Sequence, residues 1–255
     1  MKKLWGMSTR LAAVAAAFVL VVAGVALAAG SWEKVRVGSL EVQYNGGFSP
    51  KALSKKKPTP ISFNVAAKIA SLDPDEPHPP ALREFVIEGD KHGSIDVAGI
   101  PTCTSGELQS RTSAAARKAC GPALIGSGKT DVEVKFPEQL PILTHSELLA
   151  FNGGVKGGVT TIFIHAYLTA PVVAAVVTNV KVKKIHKGRY GLESVATVPK
   201  IAGGSGSVVF FTLTLNKGII RATCTDGHLD ARGTATFADG TGAKGTVLRP
   251  CTPKG

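Results

Sequence analysis

The chain has 255 residues, 44% of them hydrophobic and 19% charged, with a formal net charge of +12. Its length suffices for one large β domain or two small ones, and no repeat of 20 to 50 residues argues for a solenoid. The basic excess predicts weak, salt-sensitive attraction to anionic surfaces, but basic residues are not interleaved with aromatics as a nucleic-acid surface requires, so no specific nucleic acid is expected.

The first segment carries Lys2, Lys3 and Arg10 and no acid, then runs apolar from Leu11 to Leu27, with the small residues Ala26 and Ala28 flanking Leu27. This is the pattern of a secretory signal peptide, residues 1–28, cleaved before Ala29; an uncleaved anchor is the competing reading. Residues 29–255 are expected to form one domain, secreted or held in the cell envelope. No second stretch is long enough to span a bilayer: residues 171–177 are the most apolar, and Thr178, Asn179 and Lys181 interrupt them.

Beyond the leader, short alternating or β-branched runs are separated by Gly, Pro, Asn and Asp. Ile61, Phe63, Val65, Ala67 and Ile69 alternate, as do Val132, Val134 and Phe136, and TTIFIHAYL, VVFFTLTL and GIIRATC continue the theme. Turns are expected at Asn45-Gly46, Gly153-Gly154, Asn216-Lys217-Gly218 and Asp239-Gly240, with a further turn near residues 144–151. Residues 73–80, DPDEPHPP, read as a surface loop. The expected fold is mainly β: about ten strands in an antiparallel β-sandwich, jelly-roll-like or immunoglobulin-like, with one disulfide-stapled surface helix.

That helix lies between Cys103 and Cys120. Thr104 and Glu107 have capping-box spacing, Arg117 and Lys118 suit the last turn, and Gly121-Pro122 ends it. Its apolar face is thin: Leu108, Ala115 and Ala119, with Ala116 beside them. Four cysteines in an exported chain favour disulfides. Of three possible pairings, Cys103 with Cys120 and Cys224 with Cys251 is expected, because each pair encloses one local element and the pairs do not interlock. No C-x-x-C supports zinc.

Candidate chemistry is sparse. Ala123, four residues, then Gly128, Lys129 and Thr130 have the spacing of a phosphate-binding loop. Such a loop needs a strand before it and a helix after it, and here the expected order is the reverse. His165 is expected to share a strand face with Tyr167 as a satisfied buried histidine, and Asp73, Asp75, Glu76 and His78 form a weak cation candidate. S-x-x-K occurs at Ser31 to Lys34 and Ser54 to Lys57 without its companion motifs, and G-x-S-x-G is absent. No catalytic residue, metal ligand or cofactor is assigned. Lysines cluster at Lys55, Lys56 and Lys57, and again at Lys181, Lys183, Lys184, Lys187 and Arg189, the latter group being the candidate anion-binding surface. As solvated lysines they also guard a strand edge.

The run Cys103-x4-Leu108-Gln109, then Cys120-Gly121-x-Ala123-x-x-Gly126-x-Gly128, FNGG, Ala222-x-Cys224, FADGT and Cys251 resembles a family of uncharacterised exported bacterial β-rich proteins. The resemblance implies export and a paired-cysteine frame, and carries no activity. The leading expectation is a non-enzymatic binding or structural module of the cell envelope, with an anionic cell-surface polymer as partner. The alternative is a secreted hydrolase whose carboxylates are brought together by folding. A third reading is a carrier of lipid or another small ligand with its apolar interior opened as a pocket.

Overall fold

A computed structural model describes residues 32–255; the expected signal peptide and cleavage site lie outside the described residues. The chain runs β1 (Glu33–Val37), β2 (Leu40–Ser49), β3 (Ala52–Ser54), β4 (Thr59–Ser71), β5 (Leu82–Asp90) and β6 (Gly93–Ile95), then α1 (Ser105–Leu108) and α2 (Ser113–Cys120). It continues through β7 (Leu124–Val134), β8 (Ile142–Lys156), β9 (Val159–Leu168), β10 (Ala174–Lys187), β11 (Tyr190–Thr197), β12 (Gly206–Ala222), β13 (His228–Phe237), β14 (Gly242–Pro250) and β15 (Thr252–Lys254).

The strands do not divide into two stacked sheets, as a sandwich of either expected kind would require. One antiparallel sheet of 13 strands runs β1-β2-β4-β12-β7-β8-β9-β10-β11-β5-β13-β14, with β6 joining β12, and β1 returns beside β14. The sheet is thus nearly closed into a barrel, and only the β1–β14 seam lacks a hydrogen-bonded ladder among the described residues. Closure becomes possible because three expected turns are not turns. Asn45-Gly46 lies within β2, paired continuously with β4. Gly153-Gly154 and Asn216-Lys217-Gly218 are bulges inside β8 and β12, where the register shifts. Bulges bend a long strand without ending it, so the sheet coils instead of breaking into two. Asp239-Gly240 does form the β13–β14 turn, and residues 144–151 belong to β8 instead of a turn. There Leu148 and Ala150 face the interior while Leu149 and Phe151 pack under the helices, so a strand buried on both faces reads as a continuous apolar run.

The glycine-rich segment is likewise strand. β7 begins at Leu124, before Gly126 and Gly128, and these glycines pair with Leu215 and Leu213 of β12. A Cβ on Gly128 would stand 1.8 Å from the Thr212 carbonyl oxygen, and one on Gly126 would stand 2.4 Å from that of Thr214. The sheet bends so sharply here that only glycine fits.

The single expected helix is two. Residues between α1 and α2 leave the helical conformation, with Ser110 at φ 57°, and this break rephases the second helix. Ala116 is then buried and Ala119 exposed, while Leu108 is fully buried as expected. The capping box is present: Glu107 N–H donates to the Thr104 hydroxyl, and the Glu107 carboxylate accepts from the Thr104 N–H at 2.8 Å. Disulfides join Cys103 to Cys120 and Cys224 to Cys251. Two disulfides indicate an oxidising, extracytoplasmic environment. Among the described residues no helix is long and apolar enough to cross a membrane.

Candidate functional site: the apolar interior

Alternation along each strand turns one set of side chains inward. Phe63 and Val65 of β4, Ile162 and Ile164 of β9, Val180 of β10 and Leu213 of β12 share the interior. The barrel is flattened, since Phe85 of β5 and Phe211 of β12, far apart in strand order, meet edge to face with ring centroids 5.7 Å apart. Around this contact lies a cavity of about 330 Å³ whose wall is almost entirely apolar. Thr130, Thr178 and Ser194 are among the few polar groups on it. Thr130 spends its hydroxyl proton on the Phe210 carbonyl at 2.9 Å.

The cavity reaches the seam, where Val35, Tyr44, Lys244 and Gly245 line it. No ladder crosses here, and side chains bridge instead. Arg249, 4% exposed, donates from Nε to the Gly46 carbonyl at 2.7 Å, and its Nη atoms reach Asn45 Oδ1 at 3.1 Å and Glu33 at 3.4 Å. Gly245 has no side chain because the Tyr44 ring occupies that space: a Cβ would fall 2.1 Å from it. Burial pushes the Tyr44 phenol pKa up, with the Glu33 charge adding to it.

Glu88 and Glu193 share Lys187, and three aspartates converge at the end of the barrel bearing Cys224–Cys251. Asp90, Asp226 and Asp230 all meet Arg189: its Nε lies 3.0 Å from Asp90 and 2.9 Å from Asp230, while its Nη1 binds Asp226. Asp90 and Asp230 border the cavity. The Arg189 hydrogen bond holds Asp226 below its usual pKa, whereas burial pushes Asp230 up against the pull of the same guanidinium. These acids are spoken for by a cation and by backbone, Asp90 accepting from the His92 and Asp230 N–H groups. They form a strut, not a free acid and base facing each other across a cleft.

The remaining sequence candidates are scattered. His165 is fully buried beneath the helices; its Nε2–H donates to the Arg111 carbonyl at 2.9 Å, but its Nδ1 finds no partner among the described residues, so the histidine expected to be satisfied is only half so, and burial lowers its pKa. Asp73 accepts from the Asp75 N–H, Glu76 pairs with Lys135, and His78 sits between Glu133 and Ser207, so the four do not converge. Among the described residues the only grouping with metal-ligand proximity is Cys103, Glu107 and Cys120, whose sulfurs are bonded to each other. Ser54 Oγ accepts from the N–H groups of Lys56 and Lys57, both at 3.1 Å, so this S-x-x-K serine closes a turn. Of the candidate anion surface, Lys183 and Lys187 pair with Glu193, Lys187 also with Glu88, and Arg189 with the aspartates. Lys181 donates to Thr161, and Lys184 borders a second hollow of about 370 Å³ beside Asp96 and Thr160.

The sequence suggests an opened apolar interior only as the third reading and does not name the residues that line it, because alternation shows that a strand has an apolar face without showing which faces enclose space. Comparisons with protein-family models, curated proteins and solved structures found no match.

Proposed function

We propose that this protein is a non-enzymatic, exported carrier or receptor that holds an apolar small molecule, such as a lipid acyl chain, inside the barrel. The observation that carries this reading is the apolar cavity of about 330 Å³, within the range of small-ligand pockets. Left without an apolar occupant, a wall of that extent forgoes burial and packing contacts, a cost borne by the fold. Water is a poor filler, since a buried water needs two to four polar partners and this wall offers few. An apolar ligand removes the cost and loses its own hydrated surface. Export through the leader and the resemblance to exported bacterial β-rich proteins agree with an envelope setting, where lipids are at hand. A hydrolase has less support, because the convergent carboxylates are clamped on Arg189 and Lys187.

The test is displacement of an environment-sensitive apolar fluorophore by fatty acids, with native mass spectrometry of the purified protein for co-purified ligand. Ala196→Trp, which projects an indole into the cavity, is expected to reduce fluorophore binding at least tenfold while the far-ultraviolet circular dichroism stays that of the parent. If the parent protein shows neither fluorophore binding nor co-purified ligand, the proposal is overturned.

A further inference from the structure

The lysines at the other sequence cluster have a different setting from those on β10. β3 and β15 pair in parallel, Ala52 with Thr252, Leu53 with Pro253 and Ser54 with Lys254, forming a two-stranded platform at the disulfide end. Thr252 N–H donates to the Lys51 carbonyl at 2.8 Å and Lys55 N–H to the Lys254 carbonyl at 3.0 Å, so Lys51, Lys55 and Lys254 are brought onto one small unit. The Ser54 hydroxyl fixes the turn that carries Lys56 and Lys57. Beneath, Leu53 is fully buried among Phe48, Ile61, Ala222 and the Cys224–Cys251 disulfide, which locks the platform to β12 and β14. All five lysines are exposed, and none forms an ion pair with a carboxylate among the described residues. Lys183 and Lys187, by contrast, are neutralised by Glu193 and Glu88. Like charges held together without counterions cost free energy that an anionic partner would recover.

We propose that this platform, Lys51, Lys55, Lys56, Lys57 and Lys254, docks the barrel on a membrane surface bearing anionic lipid headgroups. The inference rests on the carrier reading: a protein that takes up lipid must meet a bilayer, and lipid is the anion source that the apolar interior favours over a soluble polymer. The aspartates at this end of the barrel are held by Arg189, so the platform lysines suit a flat surface of many negative charges. The Lys51 pKa is lowered first by burial and then by the nearby Arg249 charge. Lys51 also stacks over the Phe48 ring at 3.9 Å, which leaves the other four as the anion-seeking groups.

The experiment is vesicle flotation of the whole protein with phosphatidylcholine vesicles, alone or mixed with phosphatidylglycerol, at low and high salt. Binding is expected only with the anionic vesicles and is lost at high salt. At about 1 kcal/mol per lysine near such a surface, each of Lys55→Gln, Lys56→Gln, Lys57→Gln and Lys254→Gln weakens partitioning about fivefold, and the combined variant does not float. Lys181→Gln with Lys184→Gln, on the β10 face, is the control and floats as the parent does. The docking proposal is overturned if the combined variant floats like the parent, if neutral vesicles serve equally, or if the protein binds dextran sulfate but no vesicle. The two readings fail separately: the lysine variant keeps fluorophore binding, and Ala196→Trp keeps vesicle binding.

Discussion

At Gly128 a hydrogen stands where any other residue would drive a methyl group to 1.8 Å from the Thr212 carbonyl oxygen. That oxygen belongs to the backbone of β12, which is itself held by β4 on its far side, so it cannot swing aside as a side-chain tip would. Gly128→Ala is therefore expected to cost the upper part of the ~1–3 kcal/mol typical of overpacking, or more, by prising β7 from β12. Urea denaturation measures it; an unchanged midpoint would show that the bend relaxes freely. Asn45-Gly46 carries a related lesson. As a dipeptide it is among the strongest turn signals, yet here the Gly46 carbonyl and the Asn45 side chain both serve Arg249 across the seam. The sequence holds the glycines and the asparagine but not the partner that gives them their use, since Arg249 is some two hundred residues away. By contrast, the alternation from Ile61 to Ile69 was legible, because a strand's two faces are a local property.

The two disulfides close loops of similar length, with sequence separations of 17 and 27, so chain entropy alone assigns each about 3 to 4 kcal/mol. Their places in the fold separate them. Cys103–Cys120 ties α1 and α2 against the outer face of β8, where the buried contacts are Leu108, Ala116, Leu149 and Phe151. Cys224–Cys251 joins the ends of β12 and β14, two strands that frame the barrel and do not pair with each other. Replacing Cys103 and Cys120 with alanine is expected to speed amide hydrogen exchange mainly over residues 104–123, leaving the barrel's global transition little changed. The same replacement at Cys224 and Cys251 is expected to lower the global urea midpoint by the full entropic amount. Equal shifts from both variants would mean that the helices unfold only with the barrel. Sequence order sufficed to suggest both pairings, because neighbours that enclose one element need no tertiary knowledge. The closure of the sheet was not legible, as it depends on which edges meet after bulges have redirected β8 and β12.

Over the whole molecule, hydrogen bonds and neighbouring cations lower the pKa of several carboxylates, and this shapes the response to acid. Glu41 is pulled down to about 2 by the Gln43 hydrogen bond first and Arg36 next. Lys183 and then Lys187 lower Glu193, the Arg189 hydrogen bond lowers Asp226, and the Thr104 backbone N–H lowers Glu107. In Glu88 burial opposes the shift, but Arg232 and Lys187 together still bring the pKa down. A carboxylate whose folded pKa lies below its unfolded value stabilises the fold above the unfolded value and loses that contribution as pH falls through the folded one. For Glu41 the loss spans the window from 4.5 to about 2. Asp230 has the opposite sign: raised by burial, it favours the fold at low pH and withdraws that support as pH rises through its folded pKa. Five lowered groups against one raised acid decide the balance. The thermal midpoint is expected to begin falling as pH drops through the ordinary histidine value of 6.5, where the unfolded chain takes up a proton that buried His165 resists, and to fall further below roughly pH 5 as these carboxylates protonate. Replacing Glu41 with glutamine should flatten the lower part of that fall, where its own titration lies. A contact made by lysines alone has no acid to protonate, so vesicle docking should persist until the barrel itself melts, and docking that vanished first would point to a carboxylate in the contact. Melting followed by circular dichroism across the acid range, beside flotation at the same pH values, separates the two outcomes.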